Sequence, residues 1–215
     1  MRNHARTRIQ KVPLETVKHL PAQLSSVKLL PSSVPSVHSV QFYDSDEALI
    51  TRLCSLVCSG LLNGDSALIV ATKQHRDQLG EALQRLGVDE RRYKNENRLT
   101  LCDAEKMLAK FMVKGLPDQD LFLASVGELV EDARRVAGKQ QRGLVVFGEM
   151  VAVLWDQGNK AGALEVEELW NDLINEKAFH LHCAYPRALF LHDDVGMLNI
   201  CENHTYIHGV LTQPA

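Results

Sequence analysis

The sequence predicts a three-layer α/β fold, a mostly parallel sheet with helices on both faces. Three observations carry that expectation. Short apolar runs of strand length alternate with helical stretches of about 10 to 20 residues, and such alternation demands crossover connections. Two of the runs, Ser66 to Thr72 and Gly143 to Phe147, are apolar through their length instead of alternating, as strands buried on both faces are. The chain has 215 residues, 45% of them hydrophobic, which is enough for one substantial core and suits a single folded unit.

Residues 1–36 are set apart by composition. Pro13, Pro21, Pro31 and Pro35 fall there, and six basic side chains against Glu15 give the segment a charge of +5, which leaves −8 for the rest. A flexible basic arm is therefore expected over 1–36 and a folded domain over 37–215. His38 to Tyr43 alternates as a strand does, and Asp44, Ser45 and Asp46 supply N-cap chemistry for a helix running to about Leu62. Asn63, Gly64 and Asp65 turn the chain into Ser66 to Thr72. A polar-faced helix from Lys73 to about Leu86 stops at Gly87, where a positive φ is commonly needed. Leu99 to Cys102 reads as a strand, and Ala104 to Val113 and Asp118 to Ala137 read as helices split by Gly115 and Pro117. After Gly143 to Phe147 come Gly148, Glu149 and Met150, helical sequence through Trp155, a break at Asp156 to Gly158, and a long helix from Asn159 to about Lys177. Phe179 to Ala184 is a further strand, and Asp193 to about His208 reads as one last helix.

Several classes are disfavoured at this level. The longest clean apolar run, Ala67 to Ala71, is far short of the roughly 20 residues that cross a bilayer, and Arg2, Arg6 and Arg8 have no apolar stretch behind them as a secretory signal would. The five cysteines are an odd number spread through apolar segments, which suits a reducing cytoplasm better than a disulfide framework. An acidic body lacks the clustered Lys and Arg that phosphate backbones require, so a nucleic-acid partner is not expected.

In a parallel sheet, ligands bind beyond the carboxyl ends of the strands. Tyr43 and Asp44 end the first strand, Glu149 follows the Gly143 to Phe147 strand, and Cys183 and Tyr185 end the Phe179 to Ala184 strand. A nucleotide triphosphatase would need a glycine-rich loop with a lysine; the nearest glycine pair, Gly60 and Gly64, leads into Asp65 and Ser66, with an acid where the lysine should be. Glu149 suits either a hydrogen-bonding ligand anchor or an acid at a helix N-terminus. Cys183 suits a buried structural or pocket-lining thiol better than a nucleophile, since no local cysteine-protease signature surrounds it. Glu167 sits at the border of the stripe Ala163, Val166, Trp170, Ile174 and reads as a rim carboxylate, while Trp155 and Trp170 read as core and cap residues. Cys54 and Cys58, one helical turn apart, read as core. Cys201, His204 and His208 have helical spacing that could present donors on one face, yet no second cluster closes a tetrahedral metal site.

Three motifs together resemble the MEDS family of sensory domains. They are His38-Ser39-Val40-Gln41-Phe42-Tyr43; Gly148-Glu149-Met150-Val151 through Leu154-Trp155 and Gly158-Asn159 to Glu167-Glu168-Leu169-Trp170-Asn171; and Leu181-His182-Cys183-Ala184-Tyr185-Pro186, with Gly60-Leu61-Leu62-Asn63-Gly64-Asp65 also fitting. The resemblance spans about residues 37 to 210. It implies a core similar to RecA and KaiC-type ATPases that has lost its phosphate loop, and a sensory role with small hydrocarbon-derived or one-carbon ligands. It further implies an output through a histidine kinase or a transcriptional regulator, here a separate protein. The expectation is thus a non-catalytic, cytoplasmic sensory domain that binds a small organic ligand through His38, Tyr43, Glu149, Cys183 and Tyr185, with Glu149 as anchor and no metal ligand or cofactor. The alternative is a degenerate nucleotide-binding, ATPase-like interaction module.

Overall fold

The computed structural model describes residues 36–138 and 143–208. The expected basic arm, apart from Ser36, and the last seven residues lie outside them. Six strands form one all-parallel sheet in the order β3-β2-β6-β7-β1-β8. They are β1 (Val37–Tyr43), β2 (Ser66–Ala71), β3 (Leu99–Asp103), β6 (Leu144–Gly148), β7 (His180–Pro186) and β8 (Tyr206–His208). A two-stranded antiparallel ribbon, β4 (Met112–Val113) with β5 (Leu116–Pro117), stands apart from it.

Strand alternation divides the core in two. In β2, Leu68 and Val70 face one side while Ala67, Ile69 and Ala71 face the other, and all six residues of the strand are buried, as its unbroken apolar run requires. On one face lie α1 (Asp46–Leu62), α2 (Lys73–Arg85) and α3 (Glu90–Asn95), packed through Leu49, Leu53, Val57, Leu79, Leu83 and Tyr93. On the other lie α4 (Ala104–Phe111), α6 (Glu128–Gly138), α7 (Met150–Asp156), α8 (Lys160–Lys177) and α9 (Asp194–Glu202), packed around Phe111, Phe122, Trp155, Trp170 and Ile200. The three-layer expectation is met. The short α5 (Gln119–Phe122) runs through a π-helical turn, Leu123–Gly127, into α6, and accounts for the expected Asp118 to Ala137 helix.

The local chemistry agrees with the element ends. Ser45, Thr72, Asp89, Asp103, Asp118, Asn159 and Asp193 each accept a backbone N–H as an N-cap. Gly87 has φ of +73°, as the end of α2 requires.

Two departures matter. The ribbon β4–β5 interrupts what reads as the end of a helix through Val113, because the turn Lys114-Gly115 has positive φ at both residues. The last segment is also not one helix. Asn203 caps α9, and the Thr205 N–H then donates to the His38 carbonyl at 2.7 Å, adding β8 to the edge of β1. The aromatic and β-branched run Thr205-Tyr206-Ile207 suits a strand better than a helix.

Gly60 to Asp65, weighed above for phosphate, joins the end of α1 to the start of β2 and so sits at the amino edge of the sheet. There the Asp65 carboxylate accepts the Gly143 N–H at 2.8 Å and ties the starts of β2 and β6 together. The turn that leaves the carboxyl end of β1 is instead Asp44-Ser45, leading into Asp46.

Leu68 is fully buried and Leu86 is 54% exposed. Leu68→Ala is expected to cost about 2–5 kcal/mol through lost transfer energy and a cavity, whereas Leu86→Ala stays within about 0.5 kcal/mol of the parent. Urea unfolding checks this as a lowered midpoint at unchanged slope for the first variant only.

Candidate functional site

The five residues expected to bind ligand do not form one pocket; the sheet separates them. Odd and even positions of β1 face opposite sides, so Tyr43 lies with α1 and α2 while His38 lies beneath α8 together with Cys183 and Tyr185 of β7.

On the α1–α2 side, Glu149 follows β6. It does not cap α7 with its side chain; one carboxylate oxygen accepts the Thr72 N–H at 2.7 Å and the other is held by Nδ1 of His75. His75 Nε2 in turn lies 3.4 Å from Asp46 at the start of α1. This relay binds the carboxyl ends of β2 and β6 to the first turns of α1 and α2, so both oxygens of Glu149 are already engaged within the chain. Burial alone would lower the His75 pKa, but the hydrogen bonds and charges of Glu149 and then Asp46 outweigh it and the net shift is upward. Tyr43 packs edge-on to His75 with ring centroids 6.3 Å apart, and burial, followed by the Glu149 charge, raises its phenol. Tyr43 also lines an open cleft of about 310 Å³ with Asp46, Pro186, Arg187 and Leu191, at the carboxyl ends of β1 and β7.

On the other face a carboxylate is buried completely. Glu167, in the middle of α8, has no exposure, and its Oε1 accepts the Tyr185 hydroxyl at 2.7 Å. Its Oε2 faces His38 Nε2 at 3.3 Å, His204 Nε2 at 3.6 Å and the Cys183 thiol at 3.6 Å. His38 Nε2 is also 3.4 Å from Cys183 Sγ, and its Nδ1 is 2.8 Å from Asn171 Oδ1. Burial works against ionising Glu167, but the imidazoles of His204 and His38 and the Tyr185 hydroxyl outweigh it and hold the carboxyl down at about 2. His204 is itself lowered, by burial first, so at neutral pH its ring does not bring a full positive charge; the donor that holds the direction for Glu167 without it is the Tyr185 hydroxyl. Stabilisation from Glu167 is therefore present above its ordinary value of 4.5 and lost as pH falls through about 2. Burial, then the Glu167 charge, raises both the Cys183 thiol and the Tyr185 phenol.

Cys183, His38 and Asn171 have the connectivity of a Cys–His–Asn triad. A thiol with no exposure and a raised pKa is a poor nucleophile, however, because the thiolate is the reactive form.

Beside this cluster is an aromatic box. Phe42 and Trp155 each pack on both Tyr185 and Phe190, which also pack on each other, with ring centroids 5.2–6.2 Å apart, and the buried indole N–H of Trp155 has no hydrogen-bond partner. The box is closed by a 3₁₀ turn, Arg187–Phe190, and by the first turn of α9, where a Cβ on Gly196 would come within 2.6 Å of Trp155 Cζ2.

Two central residues were misplaced by sequence. Glu167 reads as a rim carboxylate but points inward, and the signal is its spacing: Ala163, Trp170 and Ile174 lie four before, three after and seven after it, which sets it on the stripe itself, with Asn171. Helical spacing puts His204 on one face with Cys201 and His208, yet it lies beyond the end of α9 and of the three only it reaches the cluster, while the His208 ring lies near that of His182.

Glu149→Gln is expected to reduce stability most below pH 6.5, where His75 is charged in both folded and unfolded chains. The difference from the parent shrinks as pH rises through the raised folded pKa of His75, where the parent loses that contribution. Urea unfolding of both chains across pH reads the difference, and a gap that widened with pH would contradict it.

The model of a sensory-domain family, described as MEDS: methanogen/methylotroph, DcmR sensory domain, matches residues 37–205. A search of curated proteins gives no match.

Proposed function

Because this chain belongs to the MEDS family of sensory domains, we propose that it binds a small organic ligand, hydrocarbon-derived or one-carbon, without transforming it, and relays occupancy to a separate signalling protein such as a histidine kinase or a transcriptional regulator. The observation that carries this reading is the buried, unpartnered indole N–H of Trp155, whose ring packs on those of Tyr185 and Phe190. Leaving a buried donor unpaired costs about 1–3 kcal/mol, and a ligand with one acceptor atom on a small carbon frame would satisfy it while its apolar part rests on the rings. The ligand residues are then Trp155 as donor, Tyr185 and Phe42 as walls and Phe190 as the movable side. His38 and Cys183 stand behind Tyr185, and Tyr43 and Glu149 organise the strand ends across the sheet.

Entry requires the cover of Arg187–Phe190 and the start of α9 to move. That cover continues into Leu191, Val195 and Leu198, which are 69%, 70% and 61% exposed. A ligand that binds one cover position better than the other shifts the population between them, which is what a relay needs. The core reads as RecA/KaiC-like with the phosphate loop replaced by Asp44, Ser45 and Asp46, whose carboxylates would repel a triphosphate. A raised Cys183 thiol sealed from solvent fits binding better than turnover.

Thermal unfolding of the chain with halogenated and one-carbon compounds tests the reading. Ligand at about 100 times its Kd stabilises by about 2.7 kcal/mol if it binds only the native state. Trp155→Phe keeps an aromatic wall but removes the donor, and is expected to weaken the ligand-induced shift about tenfold in apparent affinity, as the loss of one hydrogen bond of about 1.4 kcal/mol would. A shift with ATP or GTP and none with the organic panel would overturn this reading in favour of a nucleotide-binding module.

A further inference from the structure

We propose that His38, Glu167, Cys183 and His204 form a closed four-ligand site for a divalent transition ion of the zinc type. The inference stands apart from the organic-ligand reading and does not depend on it. One donor atom from each of the four residues lies within 4.8 Å of the others, and all four residues are buried; the closest approaches run between Nε2 of each histidine, Oε2 of Glu167 and Sγ of Cys183. Four of the edges are 3.3, 3.4, 3.6 and 3.6 Å. A tetrahedral ion with metal–N and metal–O bonds of about 2.0–2.1 Å and a metal–S bond of about 2.3 Å separates its ligand atoms by about 3.3–3.6 Å.

The hydrogen bonds behind the ligands point the same way. The Asn171 amide donates to the Asn203 carbonyl at 3.2 Å, which turns its Oδ1 towards His38; an oxygen there can only accept, so His38 Nδ1 carries a proton. His204 Nδ1 is 2.6 Å from the Ile200 carbonyl and must also be the protonated nitrogen. In the neutral rings, both Nε2 lone pairs are thus aimed at the Glu167 carboxylate oxygen. Lone pair against carboxylate is repulsive unless a proton or a cation lies between them. His204 Nε2 is buried and has no hydrogen-bond partner. Tyr185 occupies Oε1 of Glu167 and leaves Oε2 for a single metal bond. Such outer partners, fixing ring tautomer and carboxylate orientation, are what metal ligands ordinarily have.

The charges also close. Binding breaks the Cys183 S–H bond, its proton leaves to solvent and a metal–sulfur bond forms; a dication with one thiolate, one carboxylate and two neutral imidazoles has no net charge, as a buried site favours. The ligands come from β1, α8, β7 and the segment after α9, so the ion would pin the β8 edge of the sheet to α8. With all four positions filled by protein, the site is structural or sensory and offers no open coordination position.

The test is anaerobic titration of the reduced, chelator-treated full chain with Co(II), followed by competition with Zn(II). The expected result is one equivalent bound with the intense visible bands of a tetrahedral ion and a thiolate-to-cobalt charge-transfer band, displaced by Zn(II). Cys183→Ser should lose the charge-transfer band, and Cys102→Ser, which alters a thiol outside the cluster, should keep it. Asn171→Ala leaves all four ligands in place and is expected to weaken the ion by about 10- to 100-fold, which separates coordination from folding failure in the cysteine variant. A folded parent chain that gives no charge-transfer band at one equivalent would overturn the proposal, as would a band unchanged in Cys183→Ser.

Discussion

The constraint on which the second half of the molecule depends is the carboxylate of Glu167, sealed in an apolar layer. An ionised carboxylate taken out of water costs several kcal/mol even after relaxation, so it persists only where its surroundings compensate it from every side. Four chain segments meet that demand. β1 brings His38, β7 brings Cys183 and Tyr185, α8 brings Glu167 with Asn171 one turn on, and the segment beyond α9 brings His204. The register of β1 against β7, Val40 opposite Cys183, sets two of these at matching height, and the N–H of Thr205 on the His38 carbonyl sets the fourth. A slip of one residue in either pairing would turn its side chains to the other face and leave the charge uncompensated. The cluster therefore selects one register as strongly as the hydrophobic stripe does.

The Asp46–His75–Glu149 relay performs a different task on the opposite face. It fastens strand ends to helix starts at the carboxyl edge of the sheet through carboxylates and an imidazole. The two polar centres thus divide the labour of the fold. One fixes how β1 and β7 stand against α8, and the other fixes the crossovers into α1 and α2. On the face of the Glu167 cluster, the aromatic box is apolar apart from the indole N–H of Trp155 and the hydroxyl that Tyr185 gives to Glu167.

Much of this architecture was legible in the residues. Ser66 to Thr72 and Gly143 to Phe147 could only be strands covered on both sides, and the N-cap residues before α1, α2 and α8 announce their helices. Tyr43, Glu149, Cys183 and Tyr185 were recognisable as strand-end residues, because position beyond an apolar run is a local property. What the sequence hid is non-local. No spacing within α8 tells that an acid on its apolar stripe will meet a histidine 129 positions earlier. Helical periodicity through Cys201, His204 and His208 also suggests one face, because the hydrogen bond that ends the helix and starts β8 runs to His38, far away in the chain. The same blindness made the five expected ligand residues look like one pocket, since a strand's two faces are adjacent in sequence and opposite in space.

Tyr185 is where these separate features meet. Its ring forms a wall of the aromatic box, while its hydroxyl is a donor to Glu167 in the buried cluster. The strength of that hydrogen bond depends on how much negative charge Glu167 retains: a cation or proton on Oε2 draws charge from Oε1 and weakens its hold on the hydroxyl. Under the proposed readings, a change in neutralisation at the cluster would be felt at the ring, and a ligand that pushed on the ring would be felt at the carboxylate, by the reciprocity that governs any two coupled sites. Since Phe190 packs on Tyr185 and belongs to the turn that covers the box, the chain of contact runs from the cluster through one phenol to the cover and its exposed Leu191 and Val195. A tyrosine bonded at one end and packed at the other thus joins the buried carboxylate to the surface turn through a single side chain, the short path that the proposed relay would use.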